Sequence, residues 1–244
     1  MTHGTHDTLF EGTLTLHQPA RGEGYRVNVD AVLLAWFAGE PRVAEVAVDL
    51  GAGVGAVALS MLYRNRVRKV VLVEKDAALS KLSAQNLLAN GWGDRGEALC
   101  LDLAWKDALP KLGATLIVSN PPYHLPGRGR APQVAEGARV GELTVFTRAA
   151  RRALGPRGRA CFVYPASELG LLLDALRADG LEPKRLTFVH SGPTEPARVA
   201  LVESLPAKPG GLVVTPPLIE RTGSGPSSVL AQILAARSQA ADRV

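Results

Sequence analysis

The chain has 244 residues, of which 46% are hydrophobic and 21% are charged. This length suits one α/β domain, and this composition can bury a sizeable core, which excludes a disordered chain. The longest apolar run, near 31–38, is too short to span a bilayer, and residues 1–7 lack the layout of a signal peptide. We therefore predict a single cytoplasmic domain over 1–244 that has no membrane partner.

Residues that bind metals or form disulfides are few. The 5 histidines are scattered without the spacing of metal ligands. Cys100 and Cys161 each lie in an apolar run that predicts a strand, which favours two buried, reduced thiols over a disulfide. We expect no metal site, and nothing in the sequence points to an obligate protein partner.

The net charge of +5 is unevenly distributed. The stretch from His124 to Ala160 contains eight arginines and only two acidic residues, Glu136 and Glu142, whereas the rest of the chain is almost neutral. An arginine-rich stretch fits a polyanionic partner, because guanidinium groups pair well with phosphate. A solvated helix face of arginine-biased composition would give the same pattern.

The first segment of the chain, 1–40, precedes the predicted core. Residues 12–18 and 24–29 are hairpin-like, and an apolar helix is predicted to start after Asp30. The core follows over 41–206. A C-terminal extension, 207–244, completes the chain and ends in a predicted helix from residue 227 onward.

The core alternates short apolar runs with amphipathic stretches. The predicted strands are 45–50, 69–74, 97–101, 114–119, 159–164, 185–190 and 198–203. The predicted helices are 55–65, 77–90, 142–154 and 167–179. Strands that alternate with helices indicate βαβ crossovers and a mostly parallel sheet covered on both faces.

The last two predicted strands lack a helix between them, and the short, proline-bearing loop 191–196 joins them. This connection predicts an antiparallel hairpin that closes the edge of the sheet. The sequence therefore predicts an α/β, Rossmann-like fold with a seven-stranded, mostly parallel sheet and a C-terminal antiparallel hairpin.

A glycine-rich loop follows the first core strand. Gly51, Gly53 and Gly55 let the backbone turn sharply and lie against a ligand. Glu74 ends the second core strand, where a carboxylate can accept both ribose hydroxyls of an adenosine-containing cofactor. The loop thus predicts a cofactor that contains adenosine, and the loose dinucleotide fingerprint over 51–56 leaves NAD open.

Two acidic residues bear on the choice of cofactor. Asp49 precedes the glycines, where it favours a positively charged amino acid moiety over a pyrophosphate. Asp102, just after the third core strand, is a candidate for binding the adenine amine of the cofactor, although a solvated loop aspartate is nearly as good an interpretation.

The fourth core strand ends in Asn120, Pro121, Pro122 and Tyr123. The Asn120 side-chain oxygen and the Pro121 carbonyl can each accept one N–H of an exocyclic amine and so aim its lone pair at a methyl donor. Tyr123 offers a flat face for a base that has left its stack. A proline turn after a buried strand is the structural alternative.

This tetrapeptide resembles the motif of class I amino-methyltransferases. The resemblance implies the class I methyltransferase fold, S-adenosylmethionine as cofactor, and transfer of a methyl group to an exocyclic amine. The glycine loop and Glu74 would then bind S-adenosylmethionine, and residues 120–123 would position the amine.

A closer resemblance covers most of the chain. Residues 24–34, 183–186 and 196–198 resemble the corresponding segments of bacterial tRNA(Val) adenine-N6 methyltransferases, which modify the adenine beside the anticodon. The resemblance implies that Asp30 helps to enclose the methionine end of the cofactor, and it implies RNA, in particular tRNA, as the partner. His124 and the segment 138–142 depart from the family pattern on the substrate side.

The loop predicted over 123–141 is rich in glycine, proline and arginine. Because it follows the residue expected to stack on the target base, we predict that His124, Arg128, Arg130 and Arg139 contact the RNA. Methylation of a ribosomal base, a DNA adenine or a protein glutamine remains an alternative, as do an NAD-dependent oxidoreductase and a non-catalytic RNA-binding protein.

Overall fold

The computed structural model describes residues 5–19, 28–105, 109, 112–122 and 136–235. The longer strands are β1 (Thr5–Leu9), β2 (Leu14–Gln18), β3 (Ala44–Leu50), β4 (Val67–Glu74), β5 (Gly96–Cys100), β6 (Ala114–Ser119), β7 (Leu154–Pro165), β8 (Glu182–His190) and β9 (Ala197–Leu205). Four two-residue strands follow, namely β10 (Val213–Val214), β11 (Leu218–Ile219), β12 (Arg221–Thr222) and β13 (Gly225–Pro226). The helices are α1 (Val29–Ala38), α2 (Ala56–Tyr63), α3 (Ala77–Ala89), α4 (Glu136–Ala153), α5 (Leu169–Ala178) and α6 (Ser228–Leu234).

All seven predicted core strands form, and they lie in one sheet. The sheet order is β5-β4-β3-β6-β7-β9-β8-β10, with β3 to β7 parallel to one another. Strand β9 is antiparallel to both β7 and β8, which confirms the predicted hairpin. The sheet has nine strands, since β10 and β11 also pair in parallel with β8. Two residues are too few to give a periodic sequence signal, so the prediction of seven strands missed both.

Helices cover both faces of the sheet, as the alternation of strands and helices predicted. Successive side chains of a strand point to opposite faces. In β6, Leu116 and Val118 therefore face the core formed with α1 and α2, whereas Ile117 faces the core formed with α4 and α5. Burial on both faces explains why these strands are nearly continuous apolar runs.

The N-terminal hairpin differs from the prediction. Strand β2 pairs with the preceding strand β1, in the register Thr8↔Thr15, rather than with 24–29. Most of 24–29 lies outside the described residues. The composition of β1, THDTL, is mostly polar and lacks the alternation of apolar and polar residues that would identify it as a strand from sequence.

Two asparagines of α3 fix this hairpin to the core. Asn86 exchanges hydrogen bonds with the backbone N and O of His17 at 2.7 and 3.0 Å, and Asn90 does the same with Thr15 at 3.0 and 2.8 Å. Residues 86 and 90 are one helical turn apart and 15 and 17 share one strand face, so the amides act as a strand partner for β2. Asn86 also donates to the carbonyl of Val54 at 2.9 Å and so joins the hairpin to the glycine loop.

Two further predictions need correction. The loop predicted over 123–141 is wrong for 136–141, which form the start of α4, and 123–135 lie outside the described residues. Gly137 and Gly141 obscured a stretch whose glutamate and alanine favour helix. Cys100 is exposed, since β5 is the edge strand, whereas Cys161 is buried as expected, and both are free thiols.

Within the described residues, no helix combines the length and the apolar character that crossing a membrane requires. The helix predicted from residue 227 onward is present as α6, which Ser227 caps and which ends at Leu234, and residues 236–244 lie outside the described ranges.

Candidate cofactor and methyl-transfer site

The carboxyl ends of four parallel strands meet at one edge of the sheet. Leu50 at the end of β3 lies opposite Val73 of β4 and Ser119 of β6, and Glu74 lies opposite Cys100 of β5. The residues that follow these strand ends surround a cavity of about 650 Å³. Seven residues predicted from the sequence line it: Gly51, Gly53, Glu74, Asp102, Asn120, Pro121 and Pro122.

The glycine loop forms the floor of this cavity. Gly53 has a φ of +56°, and a Cβ placed there would meet no atom within 4 Å, so the backbone is open to a ligand. Gly55 serves a different purpose and does not line the cavity. It has a φ of +89° at the N-cap of α2, and a Cβ there would lie 2.6 Å from the Leu72 side chain, so it permits close packing of helix on strand.

The Glu74 carboxylate is oriented by the loop that it faces. One oxygen accepts a hydrogen bond from the Gly53 amide at 2.8 Å, and the other accepts from the Asp76 amide at 2.9 Å. A carboxylate oxygen has two lone pairs, so each oxygen keeps the capacity to accept a second donor from the cavity. This geometry suits recognition of two neighbouring hydroxyls.

Asp49 lies beneath the loop and does not line the cavity. Its carboxylate is buried and accepts from the Ala58 amide at 3.2 Å, in the first turns of α2. Burial raises the pKa of Asp49 to about 7; the hydrogen bond from Ala58 opposes this shift, and the nearby charge of Glu74 adds to it. Asp49 therefore supports the start of α2 from behind the glycines and does not face the ligand as the sequence predicted.

Asp102 and Asp30 occupy contrasting positions. Asp102 lines the cavity and is half-buried, with one oxygen accepting from the Ala104 amide at 2.9 Å. Asp30 is 1% exposed and does not line the cavity, because its carboxylate pairs with Arg198 at 2.6 Å. Asn28, two residues earlier, takes the position at the wall where we expected Asp30.

The segment Asn120–Pro122 follows β6 directly into the cavity. The Ser119 hydroxyl donates to the Leu50 carbonyl at 2.9 Å and so fixes the end of β6 beside the glycine loop. Asn120 is half-buried, Pro121 is buried and Pro122 is exposed. An amide and a proline carbonyl are thereby presented to the same space as Gly53 and Glu74.

The remaining predicted substrate residues cannot be placed in the same way. Tyr123, His124, Arg128 and Arg130 lie outside the described residues. Arg139 lies in the first turns of α4, but its side chain is outside the described part of the structure.

Several cavity residues were missed by sequence reasoning. Lys75 and Asp76 directly follow Glu74, and Glu142, Val145 and Phe146 come from α4. The α4 residues are spaced i, i+3 and i+4, which places them on one helix face. That spacing is the only signal that could have found them, and it is equally typical of a core-facing helix.

Phe146 approaches the first glycine of the loop closely. A Cβ at Gly51 would lie 2.8 Å from the Phe146 ring, so a larger residue there would force that ring to shift, and the φ of +70° at this position also favours glycine. The close approach therefore requires glycine at position 51 for a steric reason that the sequence does not display.

Part of the arginine-rich stretch is structural. Arg159 is 14% exposed, lies 3.3 Å from Glu203 and donates to the Ala38 carbonyl at 2.8 Å. Arg148 lies 3.8 Å from Asp179.

No cluster of three or more metal-binding side chains occurs among the residues that the structure describes.

The charges around the cavity favour a cationic ligand. Glu74, Asp76, Asp102 and Glu142 line it, against the single described cation Lys75. A pyrophosphate would be repelled by this set, whereas a sulfonium with an amino acid group is compatible with it. Together with the open backbone at Gly53, the donor and acceptor set fits S-adenosylmethionine.

The family model of the methyltransferase small domain matches residues 29–168 of the chain, which contain every cavity-lining residue described above except Asn28. The chain belongs to this family. Its reaction is therefore methyl transfer, and S-adenosylmethionine is its cofactor.

The chain is also similar in sequence to individual methyltransferases. The methyltransferase is 31% identical over 176 residues to the tRNA1(Val) (adenine(37)-N6)-methyltransferase of Pedobacter heparinus, a match that covers 70% of this chain and 73% of the relative. It is also 31% identical over 144 residues to the enzyme of that name from Pectobacterium carotovorum, covering 57% of this chain and 58% of the relative. The chain thus spans little more than half the length of the Pectobacterium relative.

Solved structures support the fold. A predicted O-methyltransferase from Agrobacterium tumefaciens superposes with a TM-score of 0.68 at 21% identity, covering 86% of this chain and 98% of that one. At this identity the likeness shows the class I methyltransferase fold alone, which confirms the α/β architecture predicted from the sequence.

Proposed function

We propose that the methyltransferase transfers a methyl group to the N6 amine of an adenine in tRNA, namely adenine 37 of tRNA1(Val). The observation that carries this proposal is that Asn120 and Pro121 line the same cavity as Gly53 and Glu74. A cofactor held by Gly53 and Glu74 and an amine held by Asn120 and Pro121 would therefore share one cavity. The printed activity of the relatives supports adenine as the amine and tRNA as its source.

Asn120 and Pro121 orient the amine. The exocyclic amine of adenine is a weak nucleophile because its lone pair is delocalised into the ring. The Asn120 side-chain oxygen and the Pro121 carbonyl each accept one N–H, which turns the lone pair toward the cofactor and stabilises the positive charge that develops on nitrogen. Since proline carries no N–H and fixes its own φ, Pro122 stiffens the turn that presents the Pro121 carbonyl.

S-adenosylmethionine supplies an electrophilic methyl group on a sulfonium centre. Glu74 would accept the ribose hydroxyls, Asp102 would accept from the adenine amine of the cofactor, and the acidic residues of the cavity wall would complement the positive charge. Methyl transfer would break the S–CH3 bond and leave the thioether S-adenosylhomocysteine, and the methylated nitrogen would lose one proton to solvent, so this step requires no dedicated general base.

The substrate side of this proposal rests on sequence. Tyr123 stacks on the flipped adenine, and His124, Arg128, Arg130 and Arg139 contact the flanking RNA backbone. The reaction takes place in the cytoplasm, where its tRNA substrate is found.

The proposal is tested by incubating the purified protein with S-adenosylmethionine and unmodified tRNA1(Val) transcript, then digesting the RNA for nucleoside mass spectrometry. We expect N6-methyladenosine at position 37, and far less of it in the same reaction time with the Asn120→Ala variant. A transcript in which adenine 37 is replaced by guanine is the matched control. Absence of methylation in tRNA, together with methylation of a protein glutamine, would contradict the proposal.

A further inference from the structure

The start of helix α1 forms part of the cavity wall. Asn28 lines the cavity and caps the helix, its side-chain oxygen accepting from the Asp30 amide at 3.1 Å. Its side-chain nitrogen donates to the Asp30 carboxylate at 3.2 Å. Both ends of the Asn28 amide are therefore bonded to Asp30, and the position of Asp30 sets the orientation of Asn28.

Asp30 is in turn held by a strand from the far end of the sequence. The Arg198 guanidinium, in β9, lies 2.6 Å from the Asp30 carboxylate. The same guanidinium binds both oxygens of Glu220, through Nη2 at 2.6 Å and Nε at 3.3 Å. The side chains of Asp30, Arg198 and Glu220 are 2%, 26% and 12% exposed, so water screens these contacts weakly.

Glu220, the residue that holds Arg198, is itself fixed by backbone hydrogen bonds. The Glu220 amide donates to the His190 carbonyl at 2.8 Å, and the Glu220 carbonyl accepts from Ser227 at 2.8 Å. Glu220 is thus fixed at the end of β8. Because the Arg198 guanidinium is bound to Glu220, it is held in place where it contacts Asp30.

We propose that Arg198 is a positioning residue for the cofactor site, which holds Asn28 in place through Asp30. The contacts run without interruption from Glu220 through Arg198 and Asp30 to Asn28 at the cavity wall. The inference rests on the proposed function, since it takes the cavity as the S-adenosylmethionine site. Holding the wall in its binding geometry before the ligand arrives avoids an ordering penalty at binding.

The opposite end of α1 offers a matched control. Arg185 donates to the Phe37 carbonyl at 2.9 Å, binds Glu203 at 2.9 Å, and stacks with its guanidinium carbon 3.9 Å from the centre of the Phe37 ring. Arg185 therefore fixes the same helix through the same kind of side chain, but it does so away from the cavity.

Calorimetry with S-adenosylmethionine on the full chain separates positioning from stability. We expect Arg198→Ala to weaken cofactor affinity roughly three- to thirtyfold, the range found when a coupled residue outside a site is removed. Arg198→Lys should restore part of the affinity. Arg185→Ala should lower Tm without changing cofactor affinity.

A milder variant covers the case in which Arg198→Ala does not fold. Glu220→Gln keeps the Arg198–Asp30 pair and should weaken cofactor affinity in the same direction by a smaller factor. Unchanged affinity in both the Arg198→Lys and Glu220→Gln variants would overturn the inference, as would an equal loss in Arg185→Ala. A wild-type protein that does not bind S-adenosylmethionine would instead overturn the proposed function.

Steady-state kinetics supplies a second measurement. Because Arg198 is expected to act on the wall of the cofactor site, the KM for S-adenosylmethionine should rise in Glu220→Gln while kcat at saturating cofactor stays close to wild type. A fall in kcat with an unchanged KM would contradict the assignment.

Discussion

At the scale of single residues, a substitution at Asn120 should affect the chemical step and not cofactor binding. Asn120→Ala should leave S-adenosylmethionine affinity nearly intact while the methyl-transfer rate falls by roughly a hundredfold or more, because one positioned acceptor is lost in the transition state. Single-turnover kinetics with tRNA and calorimetry with the cofactor measure the two effects. Retained single-turnover activity would rule out the proposed role of the side chain.

Glu74 should show the opposite behaviour. Its carboxylate lines the cavity and also accepts from the Gly53 amide, so Glu74→Ala removes acceptors for the ribose and a support of the glycine loop. We expect cofactor affinity to fall by about 1–3 kcal/mol in calorimetry. Asp76→Ala serves as the control, since Asp76 lines the same cavity but its carboxylate caps α3 through Ala78 and Leu79. Unchanged affinity in the Glu74 variant would place the ribose elsewhere.

Asp49 predicts a pH dependence of stability. Its pKa is raised from 3.8 to about 7 in the folded protein, chiefly by burial. The folded state therefore retains a proton that the unfolded state releases between these values, so the Asp49 contribution is fully present below about pH 4 and is lost as pH rises toward 7. Relative to Asp49→Asn, the wild-type free energy of unfolding should fall across this window, on the order of 4 kcal/mol in total.

Urea unfolding of both proteins at a series of pH values measures this difference. Comparison with Asp49→Asn removes the contribution of the other carboxylates, because both chains share them. A difference in stability that does not change between pH 4 and pH 7 would show that Asp49 titrates normally in the folded protein.

At the scale of elements, α3 is the support on which the N-terminal hairpin and the glycine loop both rest. Asn86→Ala removes hydrogen bonds to His17 and Val54 and leaves the partly buried backbone groups of His17 and the buried carbonyl of Val54 unpaired. We expect the free energy of unfolding to fall by up to about 3 kcal/mol for each unpaired group. Cofactor affinity should also weaken, because the glycine loop loses its hydrogen bond to α3. Denaturant unfolding and calorimetry measure the two effects.

Asn90→Ala is the control for this prediction, because Asn90 binds Thr15 in the hairpin but does not contact the glycine loop. It should lower stability with little effect on cofactor affinity. Equal losses of cofactor affinity in the two variants would mean that the hairpin, rather than the Asn86–Val54 contact, supports the loop.

At the scale of the whole molecule, the arginines of the stretch 124–160 that the structure describes include a group at the edge of the sheet remote from the cavity. Helix α4 lines the cavity through Glu142 and ends at Ala153, next to Leu154, which pairs with the first residue of β6. Arg151, Arg152 and Arg157 are exposed at that remote edge. Arg128, Arg130 and Arg139 follow the tetrapeptide or open α4, so we expect them on the substrate side.

Changing Arg128, Arg130 and Arg139 to Ala should weaken binding of all RNAs alike and flatten the dependence of affinity on salt, because phosphate contacts carry no sequence information. S-adenosylmethionine binding should be unaffected. Filter binding across a salt series measures both quantities.

The triple alanine variant of Arg151, Arg152 and Arg157 removes the same charge from the remote edge and should bind RNA like the wild type. If the two triple variants lose equal affinity, net charge rather than a substrate-side surface governs RNA binding. If neither loses affinity, the segment after the tetrapeptide does not face the RNA.

The sequence by itself determined the seven principal strands, their alternation with helices and the terminal hairpin. Apolar runs and short loops involve residues that are close in sequence, so the order of residues along the chain is enough to identify them. It also determined seven residues of the cavity wall, because Glu74 ends a predicted strand, Gly51, Asp102 and Asn120 each directly follow one, and the ends of parallel strands meet at one edge of the sheet.

Only the tertiary structure decided which residues act together across long separations. The partner of β2, the pairing of Asp30 with Arg198, and the contribution of Phe146 to the cavity join residues that no periodic pattern relates. Asn28 rather than Asp30 forms the wall because the burial of Asp30 against a guanidinium turns its carboxylate away from the cavity. A charge that leaves water requires a partner, and the position of that partner is set by packing, which the order of residues along the chain does not reveal.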